Sequence, residues 1–107
     1  MSMFEERERG YEAKWAHDEE TLFRIMARRD NGLGEWAAAL MNLSSADSAA
    51  YVGAVLQMGM VGKGPDPVVE KIATDFRARG TACSAAELAA KAKALRKEAE
   101  EHFRKPV

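Results

Sequence analysis

Residues 19–41 read EETLFRIMARRDNGLGEWAAALM, and this stretch decides the fold. Its apolar residues fall at Leu22, Phe23, Ile25 and Met26, then at Leu33, Trp36, Ala37, Leu40 and Met41. That is the i, i+3, i+4, i+7 spacing of one helix face. Gly32 and Gly34 interrupt the run, each disfavoured by about 1 kcal/mol relative to Ala inside a helix. The spacing predicts one long helix over about 20–43, bent or loosened near Asn31–Gly34.

Three more helix starts follow. Ser44-Ser45-Ala46-Asp47 offers a Ser hydroxyl to the free N–H groups of a first turn, opening a helix over about 46–60. That helix is apolar nearly all round, with Ala49, Ala50, Tyr51, Val52, Val55, Leu56 and Met58. A helix without a polar face is normally the central one, so it is expected to be buried. Asp66-Pro67 is an N-cap followed by a proline that loses nothing at the first helical position. The predicted helix runs over about 67–79, with Val68, Val69, Ile72, Ala73 and Phe76 inward and Gly80 as a left-handed cap. Ser84-Ala85-Ala86-Glu87 is a full capping box, and Cys83 before it can staple against Leu88. It opens a helix over about 85–103. Strand signals are absent. The expectation is an all-α protein: a four-helix bundle over 19–107 with a mobile or partly helical N-terminal arm over 1–18.

The chain of 107 residues has 16 Lys+Arg against 17 Asp+Glu. Grip on nucleic acid or an anionic membrane needs a basic surplus, which this balance does not supply. The balance hides a layout: fourteen of the charges lie in residues 1–30, two in 31–62 and seventeen in 63–107. The uncharged run from Ser48 to Gly62 is fifteen residues, short of the ~20 a spanning helix needs. The Glu/Arg-rich start has no apolar h-region and does not read as a signal peptide. One cysteine, Cys83, excludes an intrachain disulfide framework and a Cys-based zinc site.

Drawn as a helix, Phe4, Tyr11, Trp15 and Leu22 line up at spacings of seven, four and seven, ringed by Glu5, Glu6, Arg7, Glu8, Arg9, Glu12 and Lys14. Three rings are too few to offset the ordering of some sixteen residues at about 1–2 kcal/mol each. Two placements are open. The segment can become a helix in a partner's groove, running into the first bundle helix. Alternatively its rings fold back onto the bundle as a fifth core stripe.

Catalytic patterns are missing. His17 and His102 lie in charged helical stretches, and Cys83 sits in a cap position, so no base stands beside a nucleophile. His17 and Glu20 share a helix face, but no second pair of that spacing completes a metal site. Gly59-Met60-Val61-Gly62-Lys63-Gly64 lacks the hydroxyl and spacing of a P-loop and reads as a turn. Lys91, Lys93, Arg96 and Lys97 are balanced by Glu98, Glu100 and Glu101, which leaves a DNA reader poorly supported.

Phe4-Glu5-Glu6-Arg7-Glu8-Arg9, Tyr11-Glu12-Ala13-Lys14-Trp15-Ala16-His17-Asp18-Glu19-Glu20, Phe23, Ala27-Arg28-Arg29, Leu33-Gly34 and Trp36-Ala37-Ala38 together resemble the zeta subunit. That is the small inhibitor of the alpha-proteobacterial ATP synthase. Ala50-Tyr51, Val68, Lys71-Ile72 and Asp75-Phe76 fit the same pattern. The resemblance implies a non-enzymatic four-helix bundle whose N-terminal arm enters an α/β interface of the catalytic head and contacts γ, blocking hydrolysis while synthesis expels it. It implies that Phe4, Tyr11 and Trp15 anchor the arm, that Arg7, Arg9 and Lys14 meet carboxylates, and that His17 belongs to the same contact set. It further implies a monomer when free, no cofactor, no nucleic acid, no membrane insertion, and a cytoplasmic place at the inner face of the inner membrane. The chain departs from the pattern at Gly10, at Gly32 and Glu35 where apolar residues are usual, and at Gly59, Val61 and Gly62 where acidic ones are. Gly32 and Glu35 suggest a looser first helix. The alternative reading is a small helical bundle that binds a nucleotide or metal ion as a regulatory sensor.

Overall fold

Asp18 begins the first helix because its carboxylate accepts the Thr21 N–H at 3.0 Å, with Glu19 and Glu20 in the first turn. Acidic residues there complement the positive helix end. The computed structural model describes residues 18–104, which form α1 (Glu19–Leu40), α2 (Ser45–Val61), α3 (Pro67–Arg79) and α4 (Ala85–Phe103). The fold is all-α, four helices packed together. α1 is the hub: it lies along α2 and α4 and touches α3.

α1 runs unbroken through Asn31–Gly34, and its two glycines are used for packing. Gly34 is buried where α1 crosses α2; a Cβ there would meet the Val52 Cα at 3.2 Å and its Cγ2 at 3.3 Å. Gly32 lies under Leu95 of α4. Glu35 is exposed and accepts from the Asn31 amide at 2.7 Å. α1 ends at Leu40, earlier than the apolar periodicity suggests. Asn42 takes a left-handed φ of 58°, and the Leu43 N–H reaches back to the Ala38 carbonyl at 3.1 Å. Asn is the residue other than Gly that adopts this conformation most readily.

The expected centrality of α2 is not found. Val55 is its one fully buried residue, while Ala49, Ala50, Gly53, Ala54, Met60 and Val61 face outward. The core runs instead through Leu33, Ala37 and Met41 of α1 and its following turn, Val68, Ile72 and Phe76 of α3, and Leu88 and Ala92 of α4. The reason is volume. α2 owes much of its apolar character to Ala and Gly, which raise hydropathy without supplying bulk to fill a core.

The loop signals hold. Asp66 caps α3 with Pro67 in its first turn, and Gly80 closes α3 with φ 67°. Ser84 and Glu87 form a reciprocal capping box, and half-buried Cys83 packs against the cluster containing Leu88. Gly62 ends α2 where a Cβ would run into the Met58 carbonyl and the Pro67 ring. Among the described residues no helix is long and apolar enough to cross a membrane.

Candidate functional site

Phe4, Arg7, Arg9, Tyr11, Lys14, Trp15 and His17, expected from the sequence to meet a partner, all lie outside the described residues. The structure shows what they are attached to. The junction is the capped end of α1. Hydrogen bonds from Thr21 hold the Asp18 carboxyl below the usual carboxylate range. The Thr21 N–H is thereby engaged by a side chain. One and a half turns further on, Phe23 is 63% exposed.

Three polar ties hold the bundle behind this junction. Arg29 is the deepest: 5% exposed, it spans from its own helix to the start of α3. Its Nε and Nη2 donate to Asp30 Oδ1 at 3.0 and 2.8 Å, and its Nη1 and Nη2 donate to the two Asp66 oxygens at 2.8 and 2.9 Å. Burial opposes the Arg29 charge, but the hydrogen bonds to Asp66 and Asp30 outweigh it and hold the guanidinium firmly protonated. Burial pushes the Asp30 carboxyl up against the opposing pull of Arg29, whereas Asp66, less enclosed, is held low by Arg29. Asp66 therefore has two jobs, pairing Arg29 and capping α3 through the Val69 N–H. Sequence reasoning missed this triad. A signal was present: Arg29 stands four residues after Ile25 and four before Leu33, a charge inside an otherwise buried line.

Arg28 makes a second tie, a bidentate pair with Glu98 of α4 at 2.8 and 3.1 Å, exposed on the surface. The third joins α2 to α3. Tyr51 donates to Asp75 Oδ2 at 2.7 Å, and Lys71 Nζ lies 3.1 Å from the same oxygen and 5.3 Å from the Tyr51 ring. Burial, then the Asp75 hydrogen bond, pushes the Tyr51 phenol well above its ordinary range. These three residues, with Asp47 and Arg79, edge a cleft of about 440 Å³ between α2 and α3. Among the described residues no group of three or more His, Cys, Asp or Glu is placed to hold a metal ion.

The polar groups of this arrangement are engaged in ties between helices. Its described carboxylates are paired structurally or exposed, and burial, then Glu87, raises the Cys83 thiol rather than activating it. What it offers is a packed four-helix body whose first helix is capped at Asp18, the residue that residues 1–17 precede.

Compared with known proteins, the model of the family described as ATPase inhibitor subunit zeta matches residues 1–102 of the chain. No curated protein and no solved structure matches it.

Proposed function

Because the chain belongs to the ATPase inhibitor subunit zeta family, we propose that it binds the catalytic head of ATP synthase and blocks ATP hydrolysis through residues 1–18. The family is one of inhibitors, not of catalysts. The observation that carries the finer reading is the extent of the match. It begins at residue 1, seventeen residues before the described bundle, so the segment ahead of α1 belongs to the family pattern as much as the bundle does.

In this reading the segment enters an α/β interface of the head, beside γ, as an amphipathic helix. Phe4, Tyr11 and Trp15 fill apolar pockets, and Arg7, Arg9, Lys14 and His17 face carboxylates at their edges. A helix lodged between subunits that must open and close during turnover stops hydrolysis sterically. Motion in the synthesis direction opens the interface and releases it. Continuity with α1 needs Asp18 to leave its extended conformation, ψ 124°, and to release the Thr21 N–H from its carboxylate. The bundle's part is to keep the segment near its groove at high effective concentration. The protein works at the inner face of the membrane that carries the synthase, without entering it.

The test is ATP hydrolysis by the purified head, with the full chain and with a chain lacking residues 1–17. The truncation keeps the Asp18 cap and so keeps the bundle intact. Inhibition should be lost with the truncated chain; equal inhibition by both forms overturns the mechanism.

A further inference from the structure

We infer that the Asp18 cap is a brake on binding: the chain meets its partner with α1 closed at Asp18, and opening that start sets how tightly residues 1–17 are held. The inference rests on reading residues 1–17 as the segment that the ATP synthase head grips as a helix running on into α1.

One torsion at Asp18 keeps α1 closed. Its carbonyl already accepts the Leu22 N–H at 2.8 Å, and its φ of −60° is already helical. Its ψ of 124° is extended, about 165° from the helical value near −42°. In that conformation the carboxylate folds back over the first turn and accepts the Thr21 N–H at 3.0 Å. Thr21, through its N–H and then its side chain, and further the Glu20 N–H, hold the carboxyl below its usual range, so it is charged and able to cap at neutral pH. Glu19 and Glu20 add their charges to the same positive helix end. Three consecutive residues therefore favour a helix that begins here. The sequence just ahead carries no such signal: residues 11–17 read YEAKWAH, with Glu12, Ala13, Lys14 and Ala16 among the good helix formers and neither Gly nor Pro.

A continued helix turns these features into liabilities. Every N–H in it meets the carbonyl four residues back, so the Thr21 N–H has no need of the carboxylate. Asp18 becomes an interior residue, where Asp ranks near the bottom of the ordinary residues. The positive helix end moves away from Glu19 and Glu20. Replacing Asp18 by Ala removes the cap from the free chain and supplies the best interior residue to the bound one. The two effects act in the same direction and together favour the bound form by about tenfold. A brake of this size favours release: the cap re-forms as soon as the segment leaves its groove, so the free chain gains what the bound chain lacks.

Glu19 allows the opposite change. It is exposed and occupies the first helical position, where proline is accepted because that N–H has no helical partner. Proline also restricts the residue before it to a ψ of about +120 to +160°, which is where Asp18 already stands. The capped start is therefore compatible with Glu19→Pro. A continued helix is not: it loses a hydrogen bond there, and the ring clashes with the carbonyl four residues back. Asp18→Ala releases the brake and Glu19→Pro locks it.

The experiment is titration of the purified head with the full chain and three full-length variants, Asp18→Ala, Asp18→Asn and Glu19→Pro. Kd and hydrolysis at saturation are read for each, and circular dichroism melts show that each is folded. Expected is a Kd about tenfold tighter for Asp18→Ala and about a hundredfold weaker for Glu19→Pro. Asp18→Asn, which caps as well without the charge, should stay within about threefold of the unsubstituted chain. An Asp18→Ala Kd that is weaker, or tighter by less than about threefold, overturns the inference. So does a Glu19→Pro Kd within about threefold of the unsubstituted chain, which would show the head holding residues 1–17 with α1 still capped. A larger shift for Asp18→Asn, in either direction, assigns the effect to the charge of the carboxylate and also overturns it. In all three cases the unsubstituted chain still inhibits, and the proposed function stands. Failure of the unsubstituted chain to bind the head overturns this inference and the proposed function together.

Discussion

Arg29→Met removes the guanidinium that two carboxylates share. Four hydrogen bonds of 2.8–3.0 Å go with it. Asp66, with 37% of its side chain exposed, can rehydrate, but Asp30, at 6%, is left charged in a dry site. Breaking a buried pair by removing one partner costs about 3–5 kcal/mol, a large share of the roughly 5–15 kcal/mol that holds a domain of this size together. The midpoint of thermal unfolding should fall by more than about 12 °C. The deficit should depend on pH, and its sign follows from both acids. Asp30 is already pushed above the ordinary 3.8, and without Arg29 it rises further. A group raised in the folded state favours folding below its unfolded value and loses that contribution as pH climbs through the folded one. Asp66 is lowered in the intact protein, so its stabilisation is present above 3.8 and fades as pH falls through the lower value; the variant lacks it throughout. Both effects make the gap between protein and variant shrink in acid. Urea unfolding followed by far-ultraviolet circular dichroism, at neutral pH and near pH 4, measures it. The double change Arg29→Met/Asp30→Leu should recover most of the loss, because an apolar replacement of a buried pair is close to neutral. A neutral-pH loss under about 1 kcal/mol, or a gap that widens in acid, would refute the reasoning.

Other outcomes follow from local geometry. Gly34→Ala should destabilise by about 1–3 kcal/mol despite its better helix propensity, since its Cβ presses on the Val52 backbone; Gly53→Ala, with open space around it, should stabilise by about 0.5–1 kcal/mol, and paired melts of the two variants check the contrast. Ser84→Ala removes the acceptor for the Glu87 N–H and should cost about 1 kcal/mol in chemical unfolding. Burial and Glu87 raise the Cys83 thiol, so alkylation near pH 8 should be slower than for the urea-unfolded chain at the same pH, and should accelerate as pH rises.

Much of the fold was legible because its punctuation is local. Asp66-Pro67, Gly80 and Ser84–Glu87 each satisfy the orphan backbone groups of a helix end within a few residues, so their meaning does not depend on the tertiary structure. What depends on three dimensions was harder to read. The end of α1 rests on Asn42 in a left-handed conformation, which the apolar periodicity beyond Leu40 conceals. The glycines of α1 read as weak points but serve as contact points, because only a neighbouring helix reveals what a missing side chain admits. Hydropathy put α2 in the centre, whereas volume put α1 there. Arg29 and Asp30 gave no hint of Asp66, which stands 37 residues beyond Arg29. The family was legible from residues 4–38, a stretch whose pattern is dense in aromatic and charged positions. The seven residues expected to contact the partner belong to that pattern and lie outside the described bundle.

The hub position of α1 has a consequence for synthesis. One flank of α1 is covered by α2, which is complete once residue 61 has been made, but the opposite flank is covered by α4, which ends at residue 103. At ~5–20 residues per second, about 2–8 s separate the two events. During that interval a growing chain holds a helical hairpin in which Gly32 is not yet covered by Leu95 and Arg28 has not yet met Glu98. The helix that closes the bundle is therefore the last of the four to be made, and one flank of α1 waits for it.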